Sequence, residues 1–324
     1  MGVIGQTFCT SMIQKEFHNY IYQYDKNEGF RIIPKEEMMI PSTFFKYYAL
    51  TNYNVEALVH LYLYATHPNL LNDPLDCAEG LITFDDIDVI QSFWESLYPT
   101  VLAFCNGNEE AINELTRKAY KTYLYMKWGV LSLSANPLDI PMWSAYTDHN
   151  GFCIELDFSN FPYKTVGPYP VNYLDKLESI SINKNTIQLA TIIQTNIKSS
   201  CWKYENEWRL LIECPADFYM EPFGYWATEL KKAYPDYHDR KFKYPMRCIK
   251  SVCLGKDFFN GVYSVITNYE KEYVATNKLK NDILSFLALT KIPTYVIDTD
   301  ELEVVRVPIE ITQISNNAYH INCE

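Results

Sequence analysis

The chain has no C-x-x-C pair among its nine cysteines, no H-x-x-x-H spacing among its six histidines, and no apolar run of membrane-spanning length. Cysteines scattered in odd number from Cys9 to Cys323 point to neither a disulfide framework nor a zinc knuckle, so most are expected as buried free thiols. The longest apolar stretches, Val130 to Leu133 and Ile283 to Leu289, are far shorter than the roughly 20 residues that cross a bilayer, and no membrane partner is expected. No basic residue precedes the weak apolar stretch of Met1 to Gln14, which therefore does not read as a secretory signal; a cytoplasmic address is expected. Positive charge is also scarce. Lys and Arg total 28 against 40 Asp and Glu, a net charge of −12 that opposes general phosphate-backbone binding while leaving room for a local basic groove. Without compact ligand spacing, His18, His60, His67, His238 and His320 read as structural or surface residues, and His149 alone stands near the candidate site described below.

What is present is enough apolar material for a large core: 324 residues, 48% of them hydrophobic. The 27 tyrosines read as half-buried packing with a wet hydroxyl. No repeat of about 20 to 50 residues and no low-complexity linker divides the chain. The economical reading is an accessory segment at 1–40, a main domain at 41–310 and a tail at 311–324.

Mixed patterning predicts an α+β fold. A helix is expected around Phe17 to Tyr24, and a first strand over Thr43 to Tyr48, followed by a helix from Asn54 to Ala65. Two long helices are predicted at Phe84 to Phe104 and Asn108 to Lys127, the second carrying Ile112, Leu115, Ala119, Thr122 and Met126 at helical spacing. Beyond them come a strand at Gly129 to Ser134, a helical turn at Pro141 to Thr147, and a strand at Gly151 to Phe158. A helix at Asn185 to Ser199, strands at Glu207 to Cys214 and Cys248 to Leu254, a helix at Val262 to Thr276, and strands at Thr294 to Ile297 and Leu302 to Ile309 complete the prediction.

The stretch Trp202-Lys203-Tyr204-Glu205-Asn206-Glu207-Trp208-Arg209 sets two carboxylates one residue apart at the start of an apolar strand. If it is extended through Cys214, Trp208, Leu210, Ile212 and Cys214 share one face, expected as core. Glu205, Glu207 and Arg209 share the other, expected as exposed and free for chemistry. Three other clusters stand out: Phe45-Lys46-Tyr47-Tyr48; Asn72-Asp73-Pro74-Leu75-Asp76-Cys77; and Ser132-Leu133-Ser134 with Trp143-Ser144-Ala145-Tyr146. Each has a plain structural reading as well. Asn72 to Asp76 suits a Pro-fixed turn with Asx caps, Trp143 and Tyr146 share a helix face that can seal a core, and Glu207 with Arg209 makes a surface ion pair.

In order and spacing these clusters resemble a bacterial family catalogued as domain of unknown function 2971. Its members carry an aromatic-Lys-Tyr opening, an Asn-Asp-Pro-x-Asp turn, a Met-Trp-x-x-Tyr segment and a Glu-x-Glu-Trp-Arg strand. Here the last two are Met142-Trp143-Ser144-Ala145-Tyr146 and Glu205-Asn206-Glu207-Trp208-Arg209. The resemblance runs from about Pro41 to Ile309 and includes the strand end Val252-Cys253-Leu254-Gly255. It departs at Leu70-Leu71 and Leu75, where the family more often has an aromatic.

The same order is more loosely similar to the arginine/histidine, serine, glutamate pattern of ADP-ribosyltransferases, which implies a mixed or antiparallel split-sheet core with surrounding helices. That similarity implies an NAD-consuming ADP-ribosyltransferase or NAD glycohydrolase acting as a bacterial toxin or antiphage effector, with NAD as substrate, no metal, and a protein, a nucleic acid or water as acceptor. Glu207 would stabilise the oxocarbenium-like cation and hold a ribose hydroxyl. Glu205 would serve as base, repulsion within the pair raising one pKa. Ser134 would hold the ribose or the amide, and Tyr47, Trp143 or Tyr146 would stack on a ring. Lys46 replaces the usual arginine or histidine as a point charge for the pyrophosphate, with Arg209 on the same strand face as the glutamates. Two alternatives remain. Glu155 and Asp157, with Asp73, Asp76 and Lys203, would build a magnesium-dependent nuclease site; or the cleft binds a nucleotide as a sensor without turning it over. Burial of Glu205 and Glu207 in ion pairs, or their pointing away from any cleft shared with Lys46, Ser134 and Tyr146, would sink the transferase reading.

Overall fold

A computed structural model describes residues 12–213, 240–259, 270–300 and 302–323. The chain begins with a three-stranded antiparallel meander, β1 (Ile13–Phe17), β2 (Tyr20–Asp25) and β3 (Gly29–Pro34). Alternation of tyrosine and polar residues suits strands here, and the helix expected around Phe17 to Tyr24 is not formed. Tyr20 and Tyr22 bury their rings in the main body.

The main body follows in chain order. It opens with β4 (Phe44–Tyr48), α1 (Asn52–Val59), β5 (Tyr62–Tyr64), β6 (Ile82–Phe84), α2 (Ile87–Trp94), α3 (Tyr98–Phe104) and α4 (Glu109–Lys127). Next come β7 (Trp128–Ser134), α5 (Ile140–Thr147), β8 (Phe152–Leu156), β9 (Thr165–Pro170), β10 (Asn172–Leu174), β11 (Ile180–Ile182), α6 (Ala190–Gln194) and β12 (Ile197–Ser199). The described residues end with β13 (Glu207–Glu213), β14 (Lys241–Lys243), β15 (Ile249–Leu254), β16 (Glu270–Val274), α7 (Lys278–Thr290), β17 (Thr294–Asp300), β18 (Glu303–Gln313) and β19 (Ala318–Cys323). The architecture is α+β. None of the described helices is long and apolar enough to cross a membrane.

Several predicted boundaries shift for identifiable reasons. The long helix expected over Phe84 to Phe104 is two helices, because Glu95 at the end of α2 takes a positive φ and breaks the run. The helix expected at Asn185 to Ser199 is short, α6 alone, and gives way to β12, whose backbone pairs with β10. Of the helix expected at Val262 to Thr276, 262–269 lie outside the described residues and Glu270–Val274 is a strand paired with β19. Cys214 and His238 also lie outside the described residues. The boundary drawn at 310 falls inside β18, and β19 continues the sheet beyond it.

Ten strands form one mixed sheet in the order β16-β19-β18-β17-β15-β8-β4-β7-β13-β9. Neighbours are antiparallel except for β15 and β17, which run parallel. One face is covered by a cluster that includes Phe44, Leu131, Leu133, Trp208, Leu210 and Ile212. The other face carries two separate clusters: Val130, Leu211, Val166 and Ile192 on the β7, β13 and β9 half, and Phe45, Tyr47, Trp143 and Cys253 on the β4, β8 and β15 half. Where these two meet, the sheet itself is nearly divided. β4 pairs with β7 only at Phe45 and Ser134, whereas β7 and β13 pair all the way from Glu207 opposite Ser134 to Glu213 opposite Trp128.

Candidate functional site

A cavity of about 220 Å³ opens at the β4 and β7 seam, where the apolar cover of that face is interrupted. By alternation Lys46 faces the same way as Phe44 and Tyr48, yet it reaches the cavity through the seam, and its Nζ donates to the Ser132 carbonyl at 3.2 Å. That carbonyl is a main-chain acceptor next to a ladder of a single pair, so the side chain supplies a donor that strand pairing does not.

Six predicted site residues line the cavity: Lys46, Tyr47, Ser134, Tyr146, Glu205 and Glu207. Trp143 and Arg209 do not. Trp143 is 1% exposed, packs edge-on against Tyr47 with ring centroids 5.2 Å apart, and donates its indole N–H to the Pro137 carbonyl. α5, capped by Asp139 accepting from the Met142 N–H, therefore sends Trp143 into the core and Tyr146 to the cavity. Tyr47 donates its hydroxyl to the Asn136 carbonyl at 2.6 Å, and Ser134 Oγ accepts from the Asn136 N–H. His149 lies at the turn after α5, its carbonyl accepting from the Asp257 N–H, and does not line the cavity.

The carboxylate pair departs from the expected exposed face. Glu205 is 3%, Glu207 4% and Arg209 0% exposed. Glu205 ends a 3₁₀ turn, Ser200–Glu205, and Asn206 takes a left-handed conformation (φ 44°, ψ 48°) that turns the chain into β13. Asparagine tolerates that conformation well. This burial has a physical cause: β13 is an interior strand with apolar clusters on both faces, so its polar side must be satisfied inside. β9 bulges opposite Arg209, and Gly167 (φ +101°) makes the close approach, since a Cβ there would lie 2.5 Å from the Arg209 carbonyl oxygen.

Satisfaction comes from a continuous ion-pair chain. Arg209 donates to both carboxylate oxygens of Asp76, to the Thr195 carbonyl at 2.7 Å, and through Nε to Glu207 Oε1 at 2.8 Å. Lys198 bridges the pair, reaching Glu205 Oε2 at 2.5 Å and Glu207 Oε2 at 3.0 Å. Glu205 Oε1 accepts from the Tyr146 hydroxyl at 2.5 Å, which in turn accepts from the Asn72 side chain at 3.1 Å. The Asn72 to Asp76 segment is indeed an Asx turn, with the Leu75 N–H on Asp73 Oδ1, and the turn also presents Asp76 to Arg209. Lys198, on β12, belongs to no motif and was not anticipated.

The two carboxylates end up in opposite electrostatic states. Burial pushes Glu207 up, but Arg209 and Lys198 outweigh it and bring the group down to about 2. Burial raises Glu205, and Lys198 and Tyr146 only partly oppose it. Acceptor capacity differs as well. Glu207 receives Arg209 Nε, the second Arg209 nitrogen, Lys198 and the Ser132 hydroxyl, which fills the roughly four lone-pair sites of a carboxylate. Among the described residues Glu205 receives two donors, Tyr146 and Lys198, fewer than Glu207.

The residues considered for a nuclease are dispersed. Glu155 accepts from Thr43 and Ser251, Asp157 caps the turn at Ser159 and pairs with Lys250, Asp76 is committed to Arg209, and Lys203 is exposed.

A family model described as "Protein of unknown function (DUF2971)" matches residues 142–210. The chain is similar to that family there. The matched stretch begins at Met142-Trp143-Ser144-Ala145-Tyr146 and takes in Lys198 and Glu205-Asn206-Glu207-Trp208-Arg209, so it supplies Met142, Tyr146, Lys198, Glu205 and Glu207 of the cavity lining. No curated protein and no solved structure matches the chain.

Proposed function

We propose that the cavity receives the ribosyl end of a nucleotide, NAD first, and that the chain cleaves its N-glycosidic bond as an NAD glycohydrolase or ADP-ribosyltransferase. The observation that carries this reading is the separation of two neighbouring cavity carboxylates into one held ionised and one held up, the division of labour that glycosidic chemistry uses. Ion pairing changes the roles drawn from the sequence. Glu207, saturated with donors, does not hold a ribose hydroxyl; it is a fixed negative charge beside a developing cation. Glu205 has the fewer donors and the raised pKa, and it is the carboxylate that takes the ribose hydroxyl or activates the acceptor. A cavity of about 220 Å³ suits a sugar with one attached ring, leaving the adenylate half outside.

Nicotinamide release from NAD by the wild type, Glu205→Gln and Glu207→Gln tests this. Release is expected from the wild type and is expected to fall by about 100-fold or more in Glu205→Gln. Expression of the active form would then lower cellular NAD and growth, as for a toxin or antiphage effector, with Glu205→Gln sparing the host. Both carboxylates are buried in ion pairs, the arrangement expected to sink the transferase reading, although they share the cleft with Lys46, Ser134 and Tyr146; that burial favours a second reading, a sensor that binds nucleotide without turnover. Calorimetric binding of NAD with no nicotinamide release would select it. Neither binding nor release would overturn both.

A further inference from the structure

The sequence departs from the transferase pattern at Lys46, and the departure has a chemical meaning that arginine or histidine would not share. Arginine stays protonated, whereas a desolvated lysine becomes a nucleophilic amine. Lys46 lines the cavity, and its one described hydrogen bond goes to a main-chain carbonyl. Among the described residues it forms no ion pair, although Lys198 in the same lining and Arg209, which does not line the cavity, form two each. The Tyr48 ring lies 5.5 Å from its Nζ. The groups facing it are Ser132 on β7, Glu207 on β13 and Cys153 on β8, with Asp76, Lys198 and Glu205 farther around the same cavity.

We propose that Lys46 is the reactive amine of this cavity and captures the carbonyl carbon of a small aldose or related aldehyde as a Schiff base. The nitrogen lone pair attacks the carbonyl carbon, the carbonyl oxygen takes up the two amine protons and leaves as water, and a C=N bond replaces C=O. Nothing is oxidised or reduced. The ring-opened sugar released by cleavage of an N-ribosyl bond has such a carbonyl, but the capture requires no prior cleavage and stands independently of the glycosidic reading. Burial supports it by pushing Lys46 down to about 8, against the opposing pull of Glu207 and Cys153.

The test incubates the full chain at pH 7 with glyceraldehyde, and separately with ribose, in the presence of cyanoborohydride, followed by peptide mapping. Lys164 and Lys278, whose side chains are each 83% exposed, serve as internal references. Lys46 is expected to be labelled about tenfold faster than either, with a rate that rises through about pH 8, and Lys46→Arg is expected to lose that adduct alone. Labelling of Lys46 no faster than Lys164 and Lys278 overturns the proposal. So does a site-specific adduct that persists at the same level in Lys46→Arg. If Lys46→Arg fails to fold, the rate ratio in the wild type decides.

Discussion

The two faces of β13 are buried to the same degree and held by opposite chemistry. On one, Trp208, Leu210 and Ile212 pack into an apolar cluster, Trp208 meeting Phe44 with ring centroids 5.2 Å apart. On the other, Glu207 and Arg209 are equally hidden but satisfied by Asp76, Lys198 and the Thr195 carbonyl. Period-two alternation separates faces; it does not say which face meets water. A polar face on an interior strand is costly unless every group is paired, and here the pairing also frames a cavity.

The largest expected effects compare the faces directly. Arg209→Met leaves Asp76 without its buried cation and should cost about 3 to 5 kcal/mol by chemical denaturation. Trp208→Ala should cost about the same, through a cavity in place of an unpaired charge. The pH dependence tells them apart. The Arg209→Met deficit should narrow as acid neutralises Glu207, one of the carboxylates that loses its guanidinium partner, whereas the Trp208→Ala deficit should not change with pH.

A smaller effect concerns the wild type in acid. Because the folded pKa of Glu207 lies near 2, below its ordinary value of 4.5, its contribution is present above about pH 4.5 and is lost as pH falls toward 2. That contribution is on the order of 3 kcal/mol. Glu205 is raised, so it acts in the opposite sense and in a separate window: stability is gained as pH falls through its folded pKa toward about 4.5, and Glu205→Gln should remove that gain while leaving the loss below 4.5 unchanged. At neutral pH Glu205→Gln should be the mildest change, within about 1 kcal/mol, since Lys198 retains Glu207 as partner.

Much of the sheet was legible in the sequence because its strands alternate or run apolar between turn signals. The strand bounds at Phe44–Tyr48 and Glu207–Glu213 lie within a residue of the pattern. The burial of Trp208 followed from the same alternation. The site was legible as a set of residue types, and six of eight residues meet at one cavity. The ionic frame was not. Lys198 sits in a three-residue strand between Ile197 and Ser199, and nothing local distinguishes it from a surface lysine. Asp76 lies 133 positions from Arg209, a pairing that only the fold establishes. Trp143 and Tyr146 share a helix face by spacing, but only the packing of α5 on β4 decides that one enters the core and the other the cavity.

Carbon-13 NMR titration of the Glu205 and Glu207 side-chain carboxyls bears most directly on the claim that one ionic frame holds two adjacent carboxylates apart. Glu207 is expected to titrate near about pH 2 and Glu205 above the ordinary glutamate value of 4.5. Both carboxyls titrating together near 4.5 would contradict it.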